Sequence, residues 1–461
     1  MPPPYDSGRK DPSMEPKSNQ LYADMPPVKL FFHAAIPGII SMFSMSIYNI
    51  IEGIFIGQFA GGEAFAAMNL AMPLVMINFA LADMVGVGSS VPISISLGRK
   101  DEEHASGLFS ASILLIVLIS IFCGCLTFLF APGIMSLMGA EANVAQLAVT
   151  YLRISAVFGP LVSLVFAMDN FLRISGFVRG SMLLNLLMSA LQIVMLILFV
   201  VVWKMGLIGS CLAIHIGMAS CSFIAMIPFL MGKCVLKFRK PKLTLPKLKQ
   251  IIVCGSPTFL NNMAGRLFSI IMNALLIRMG GTNAVAAFAV LMYASDLVQP
   301  MLYGLSDSMQ PAIGYNWGAE SFQRVKILAK CVFAATAVVS GFALLLTCGF
   351  PRHLASLFVE KGDTALLDLS AHALKLYSAK FLFWWFGFSS LGFYNAIQKP
   401  KNAAILTLST AILFPLLMVL LLWPLGLDGL WLNQAAAYIP VGILAFRMLR
   451  KTQKELASHM N

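Results

Sequence analysis

The sequence predicts an all-α integral membrane protein of twelve transmembrane helices, arranged as two six-helix lobes about a pseudo-two-fold axis along the membrane normal. Three observations predict it. Long apolar runs follow one another along almost the whole of the 461 residues. Charged residues make up only 11% of the chain and apolar ones 59%, with a mean hydropathy of +0.83, whereas a soluble domain carries roughly 25% charged residues. The second half also repeats features of the first at a shift of about 220 residues.

The opening stretch, MPPPYDSGRKDPSMEPKSNQLYADMPP, is polar and proline-rich. It reads as a disordered tail over residues 1–27. The apolar run from Lys29 to Gly57 is too long for the apolar region of a signal peptide and has no small-residue cleavage site, so it reads as the first span. Further runs fall near 66–97, 105–131, 146–173, 178–202, 207–234, 250–278, 284–315, 322–349, 368–397, 401–423 and 428–450. Lipid offers the backbone no hydrogen bonds, so each run must be a helix or part of a closed barrel. Barrel strands alternate polar and apolar over roughly ten residues, and these runs are continuous and longer. At roughly 20 residues per span, twelve spans leave no room for a soluble catalytic domain. The lobes are expected at 28–240 and 241–461, joined through a basic linker.

Most of the 32 basic residues fall in the terminal tails and in every second loop, with Lys233, Lys237, Arg239, Lys240, Lys242, Lys247 and Lys249 in the linker. The opposite loops hold only Lys204, Arg278, Arg352 and Lys361. The positive-inside rule then places both termini in the cytoplasm of a plasma-membrane protein and makes the number of spans even. The net charge of +12 is thus a topology signal. Scattered over many short loops, it is not a nucleic-acid footprint. The eight cysteines show no metal-ligand spacing and read as small buried hydrophobes.

The repeat is clearest between Trp203-Lys-Met-Gly206-Leu-Ile-Gly209-Ser-Cys-Leu212 and Trp423-Pro-Leu-Gly426-Leu-Asp-Gly429-Leu-Trp-Leu432. Pro37 matches Pro257, Gly61-Gly62 resembles Gly280-Gly281, and GVGSSVPISISLG (86–98) resembles GLSDSMQPAIGYNWG (304–318). With six spans per repeat, both halves enter from the same side. Two similar bundles then face each other across a cavity, and rocking one against the other gives alternating access.

These segments resemble the multidrug and toxic compound extrusion (MATE) family over about residues 28–450. The resemblance is carried by Ile51-Glu52-Gly-Ile-Phe-Ile-Gly57 with Gly61-Gly62, by SSVPISISLGRKDEE (89–103), by Gln310-Pro-Ala-Ile-Gly-Tyr-Asn-Trp-Gly-Ala319 with Arg324, and by Gly426-Leu-Asp-Gly-Leu-Trp431. It implies a V-shaped cleft and export of drugs in exchange for protons or sodium ions.

Ionisable groups inside a span are functional candidates by default. Glu52 leads: it lies deep in the first span among Ile50, Ile51, Ile54 and Phe55, where a carboxyl can hold a proton in one state and release it in another. Family members resemble this position but usually carry Asp. They also tend to place an Asn, and four residues later an Asp, on span five; the register puts Gln192 and Leu196 there. The usual span-six hydroxyl falls near Ile214 and His215 and is missing. A sodium ion needs several oxygen ligands and a proton needs one acceptor, so these departures favour protons.

Asp83 and Asp169 complete the ion-coupling candidates. Asp83 could face the cavity of Glu52, whereas Asp169 stands four residues before Arg173 and could simply pair with it. His215 reads as a hydrogen-bonded packing residue. In the second half, Arg266 is expected to neutralise Asp296 or Asp307, with substrate binding by one of these acids as the alternative. Asn261, Asn262 and Asn273 add polar lining. Trp384, in the run FLFWWFGF (381–388), could stack on a flat cation or face lipid. Asn261, Asn273, Asp296, Asp307, Arg266 and Trp384 are the substrate-binding candidates.

The expected function is secondary antiport of small cationic or amphipathic organic compounds against protons, with no cofactor beyond the gradient. The expected partners are an organic substrate and membrane lipid, with the chain acting as a monomer. A sodium-coupled antiporter is the first alternative. A lipid-linked precursor flippase is the second, and it should show clustered basic residues in its cavity. No nucleophile–base pair, metal cluster or Walker motif occurs in the sequence, which argues against an enzyme and against ATP as the driver.

Overall fold

The computed structural model describes residues 20–60, 62–241, 244–359 and 363–460. Among them the regular structure is helical. The first lobe comprises α1 (Pro27–Phe55), α2 (Gly62–Gly98), α3 (Glu102–Leu137), α4 (Ala142–Ile174), α5 (Val178–Val202) and α6 (Gly206–Leu230). The second comprises α7 (245–281), α8 (282–318), α9 (Phe322–Gly349), α10 (364–396), α11 (Pro400–Leu421) and α12 (Leu427–Glu455). Helices α7 and α8 are nearly continuous, but Gly281 breaks them with φ +65° and ψ −159°. Only glycine adopts that backbone without strain. Its counterpart Gly61 lies outside the described residues. A 3-10 turn at Ser378–Lys380 interrupts α10.

The strongest repeat has a backbone cause. Gly206 and Gly426 both take positive φ, +57° and +62°, and each turns the chain into the last helix of its lobe. Side chains cap two other starts: Asp101 accepts from the His104 amide at 2.9 Å, and Asp363 from the Leu366 amide at 3.0 Å.

The lobes meet through the halves of α1, α2, α7 and α8 nearer the termini, and glycines make that contact possible. A Cβ on Gly98 would sit 2.0 Å from the Tyr315 carbonyl oxygen, and one on Gly318 would sit 2.1 Å from that of Ile95. Each residue of one pair is the repeat counterpart of a residue in the other, as a two-fold axis requires. Gly88 lies as close to Ile251, and Gly38 and Gly304 pack on each other. In the far halves of α1 and α7, Gly53 and Gly265 face open space. The close approaches between the lobes at these glycines therefore lie toward the termini.

Part of the expected disordered tail is folded. Residues 1–19 lie outside the described residues, but Gln20–Asp24 forms a helical turn and Tyr22 is 1% exposed. The Tyr22 hydroxyl donates to the Arg173 carbonyl of the first lobe. Its own carbonyl accepts from Asn316 at 3.1 Å and Arg324 at 3.0 Å, both of the second lobe. Arg324 also donates to the Met25 carbonyl at 2.6 Å. Composition suggested disorder, but one aromatic side chain finds an apolar seat at the lobe junction. Burial pushes the Tyr22 hydroxyl pKa up, so it remains a donor.

Candidate functional site: three cavities in a row

Glu52 lies near the end of α1 farther from the termini and is 8% exposed. Ile50 and Ile54 point the other way, 55% and 49% exposed, on the face suited to lipid. The carboxyl turns inward to a cavity of about 280 Å³ within the first lobe. The Ser210 hydroxyl on α6 donates to Glu52 Oε1 at 3.2 Å. Tyr48, one turn earlier on α1, faces the same carboxyl, although its hydroxyl makes no hydrogen bond of ordinary geometry. Span six thus does bring a hydroxyl to Glu52, from Ser210, one turn before Ile214.

Gln192 and His215, near Glu52, make their hydrogen bonds elsewhere. Gln192 lines the cavity, but its amide points to the Ile214 carbonyl at 3.5 Å, and no hydrogen bond joins it to Glu52 among the described residues. Gly217 makes room for it: a Cβ there would meet the Gln192 side chain at 2.6 Å. Leu196 is fully buried with Val200 and Ala213 and leaves no second acid. His215 donates through Nδ1 to the Cys211 carbonyl at 2.6 Å, between the rings of Tyr151 and Phe158. That is the packing role expected of it.

Asp83 does not share the cavity of Glu52. It lines a second cavity, of about 220 Å³, between the lobes and closer to the termini. Phe79 and Phe166 line both spaces and meet edge to face at 4.8 Å, so they form the wall between them. Asp83 precedes Asp169 and Arg173 around this central cavity, with Asn261, Asn262 and Asp307 on the second lobe. Asn262 lies within hydrogen-bonding reach of Asp83. Gln310 donates to Asp307 at 2.9 Å, and the Asn261 amide reaches the Tyr303 hydroxyl at 3.4 Å. Asp169 is committed to structure. Arg173 bridges it at 2.8 Å, Asn185 donates to it at 2.9 Å and Ser181 donates to it as well. A carboxylate holding this many donors is a poor candidate for ion coupling.

The third cavity, about 330 Å³ within the second lobe, is lined by Arg266, Asp296 and Trp384. Tyr303 and Phe388, edge to face at 4.9 Å, wall it from the central cavity. α8 and α10 thus supply here what α2 and α4 supply in the first lobe. Arg266 forms no ion pair with Asp296 or Asp307 among the described residues, contrary to expectation. The base nearest Asp296 is Lys380, which the sequence reading passed over. Asn273 lies on an exposed face of α7 and lines none of the three cavities. Trp384 is 7% exposed and turned inward, whereas its neighbours Leu382 and Phe383 are exposed. The aromatic run thus turns one ring to the cavity and exposes others.

Two repeated six-helix lobes, with cavities within and between them that buried ionisable side chains line, have the architecture of a secondary transporter. A family model described as MatE matches residues 37–198 and again 257–420, in register with the internal repeat. The chain belongs to this family of MATE transporters. "Multidrug export protein MepA" of Staphylococcus aureus (strain N315) is 25% identical over 411 residues, 88% of this chain and 90% of that protein. The protein of the same name from Staphylococcus saprophyticus is 24% identical over 397 residues, 85% of this chain and 87% of its own length. Among solved structures, a MATE protein in complex with MaL6 superposes with a TM-score of 0.90 at 21% identity, covering 96% of this chain and 99% of that one. An outward-facing multidrug resistance MATE transporter of the MOP superfamily gives 0.88 at 23% identity, with 96% and 99% covered.

Proposed function

We propose that this chain exports small cationic or amphipathic organic compounds across the plasma membrane, in exchange for protons carried by Glu52. The observation that carries this reading is the environment of that carboxyl. It is buried at a cavity wall, with one hydroxyl donor in hydrogen-bonding geometry and no basic side chain within ion-pair distance among the described residues. A proton needs one such acceptor. A sodium ion would need several oxygens, and Leu196 supplies none where family members tend to carry an acid. The multidrug export named for the Staphylococcus relatives supports the choice of cargo.

With the termini in the cytoplasm, as the basic loops favour, the close approaches between the lobes lie on the cytoplasmic side. Exchange then follows from competition. An inward-moving proton neutralises Glu52, a cationic compound loses its attraction to the cavity, and the lobes rock to present the emptied cavity to the cytoplasm. Proteoliposomes carrying separate proton and sodium gradients test the reading. A proton gradient alone should drive uptake of a lipophilic cation into inverted vesicles, and Glu52→Gln should remove it. A strict requirement for sodium, or full transport by that variant, would overturn the proposal.

A further inference from the structure

The charge in the third cavity is of the opposite sign. Lys380 is 3% exposed, set by the 3-10 turn in α10. Its Nζ donates to the Ser295 hydroxyl at 2.8 Å and the Tyr377 hydroxyl at 2.6 Å. It also lies over the rings of Tyr377 and Trp384, 4.1 and 4.5 Å from their centroids. Hydroxyls and π faces solvate an ammonium but do not neutralise it. No carboxylate lies within 4.0 Å of Lys380 among the described residues. Asp296 lines the same cavity beyond that distance, and Arg266 brings a second cation to it, also without an ion pair. Two bases thus face one acid beside a space of about 330 Å³. Buried charge at membrane depth calls for a partner, and here the missing partner is an anion.

We propose that the second-lobe cavity binds the anionic group of an organic ligand, an aromatic carboxylate whose ring lies on Trp384 and whose oxygens reach Lys380 and Arg266. The inference rests on reading the chain as an exporter of organic compounds, but it does not depend on Glu52 or on the coupling ion. It gives the protein two ligand sites of opposite polarity: an acidic one in the first lobe and a basic one in the second. A zwitterionic compound could engage either of them with a different end.

Binding, not transport, tests it, so its failure is distinguishable from failure of the export reading. The transporter in lipid nanodiscs is titrated calorimetrically with 1-naphthoate, 1-naphthylmethylammonium and 1-naphthalenemethanol, which share a ring and differ in charge. Naphthoate should bind the wild type, and Lys380→Gln should weaken it at least about ten-fold, as expected for loss of a charge-assisted hydrogen bond. Lys380→Arg should retain it, and the ammonium probe should not weaken in Lys380→Gln. Arg266→Gln, at a side chain exposed to the cavity and free of ion pairs, should lower naphthoate affinity should Lys380→Gln fail to fold. No naphthoate binding to the wild type would overturn the proposal. So would affinity undiminished in Lys380→Gln or, where that variant does not fold, in Arg266→Gln, and so would equal losses for all three probes.

Discussion

The first-lobe and second-lobe cavities descend from the same repeated unit, and side by side they share architecture but not chemistry. Each lies behind an edge-to-face aromatic pair, Phe79 with Phe166 or Tyr303 with Phe388. The first is walled by tyrosines, methionines and one buried acid, Glu52. The second has no acid at the repeat counterpart of Glu52, where the buried Met272 stands, and holds a buried base instead. The glycines of the lobe contact recur at repeat-related positions, whereas the two aromatic walls occupy positions the repeat does not relate, Phe79 and Phe166 in one lobe, Tyr303 and Phe388 in the other.

The largest effect that separates the two cavities is expected at Glu52. Glu52→Gln should reduce proton-driven efflux to background while membrane insertion stays normal, read by transport in vesicles and by surface expression. Retained efflux would mean that the first cavity holds no unique function.

The shared architecture predicts a symmetric loss. Gly98→Val and Gly318→Val each force a side chain against a carbonyl of the opposite lobe. Overpacking of this kind costs about 1–3 kcal/mol, so each should lower the thermal midpoint of the purified protein by several degrees. Gly53→Ala, facing open space, should leave it within a degree or so. Unequal losses at Gly98 and Gly318 would break the symmetry of the lobe contact.

Ser210→Ala should weaken transport by about ten-fold or more, since a hydrogen bond to a charged group contributes about 1.5–3 kcal/mol. Full transport by Ser210→Ala would separate the hydroxyl from the acid. The smallest effect is expected at the strap beneath both lobes. Tyr22→Phe removes one neutral hydrogen bond, about 1 kcal/mol. It should speed amide exchange over residues 20–26 by about five-fold, measured by hydrogen–deuterium exchange mass spectrometry. Unchanged exchange would show that the ring, not the hydroxyl, holds the segment.

Particular residues show where sequence reasoning reached and where it stopped. The run boundaries lie close to the helices because hydropathy and backbone satisfaction are local properties. Gly206 and Gly426 were recognisable as a pair for the same reason: a positive φ is a demand on one residue. Lys380 was overlooked although it stands inside the run 368–397, where the rule that singled out Glu52 and Asp83 applies equally. The adjacent aromatic residues drew the reading instead. Asp83 could share the cavity of Glu52 as far as the sequence goes, since both are acids inside spans. Nothing in one dimension shows an aromatic wall between α2 and α4.

By itself, then, the chain's order of residues determined the number of helices, the duplication, the glycine turns and the presence of intramembrane ions. Hydropathy, conformational preference and charge act residue by residue or over a single helix, and so are written locally. Only the packed structure decided which of those ions meet. It set Asp169 on Arg173, turned Ser210 toward Glu52, drew Tyr22 under the lobe junction and left Lys380 facing a cavity. Such pairings depend on the rotation and tilt of each helix. Contacts between residues far apart in the chain fix those angles.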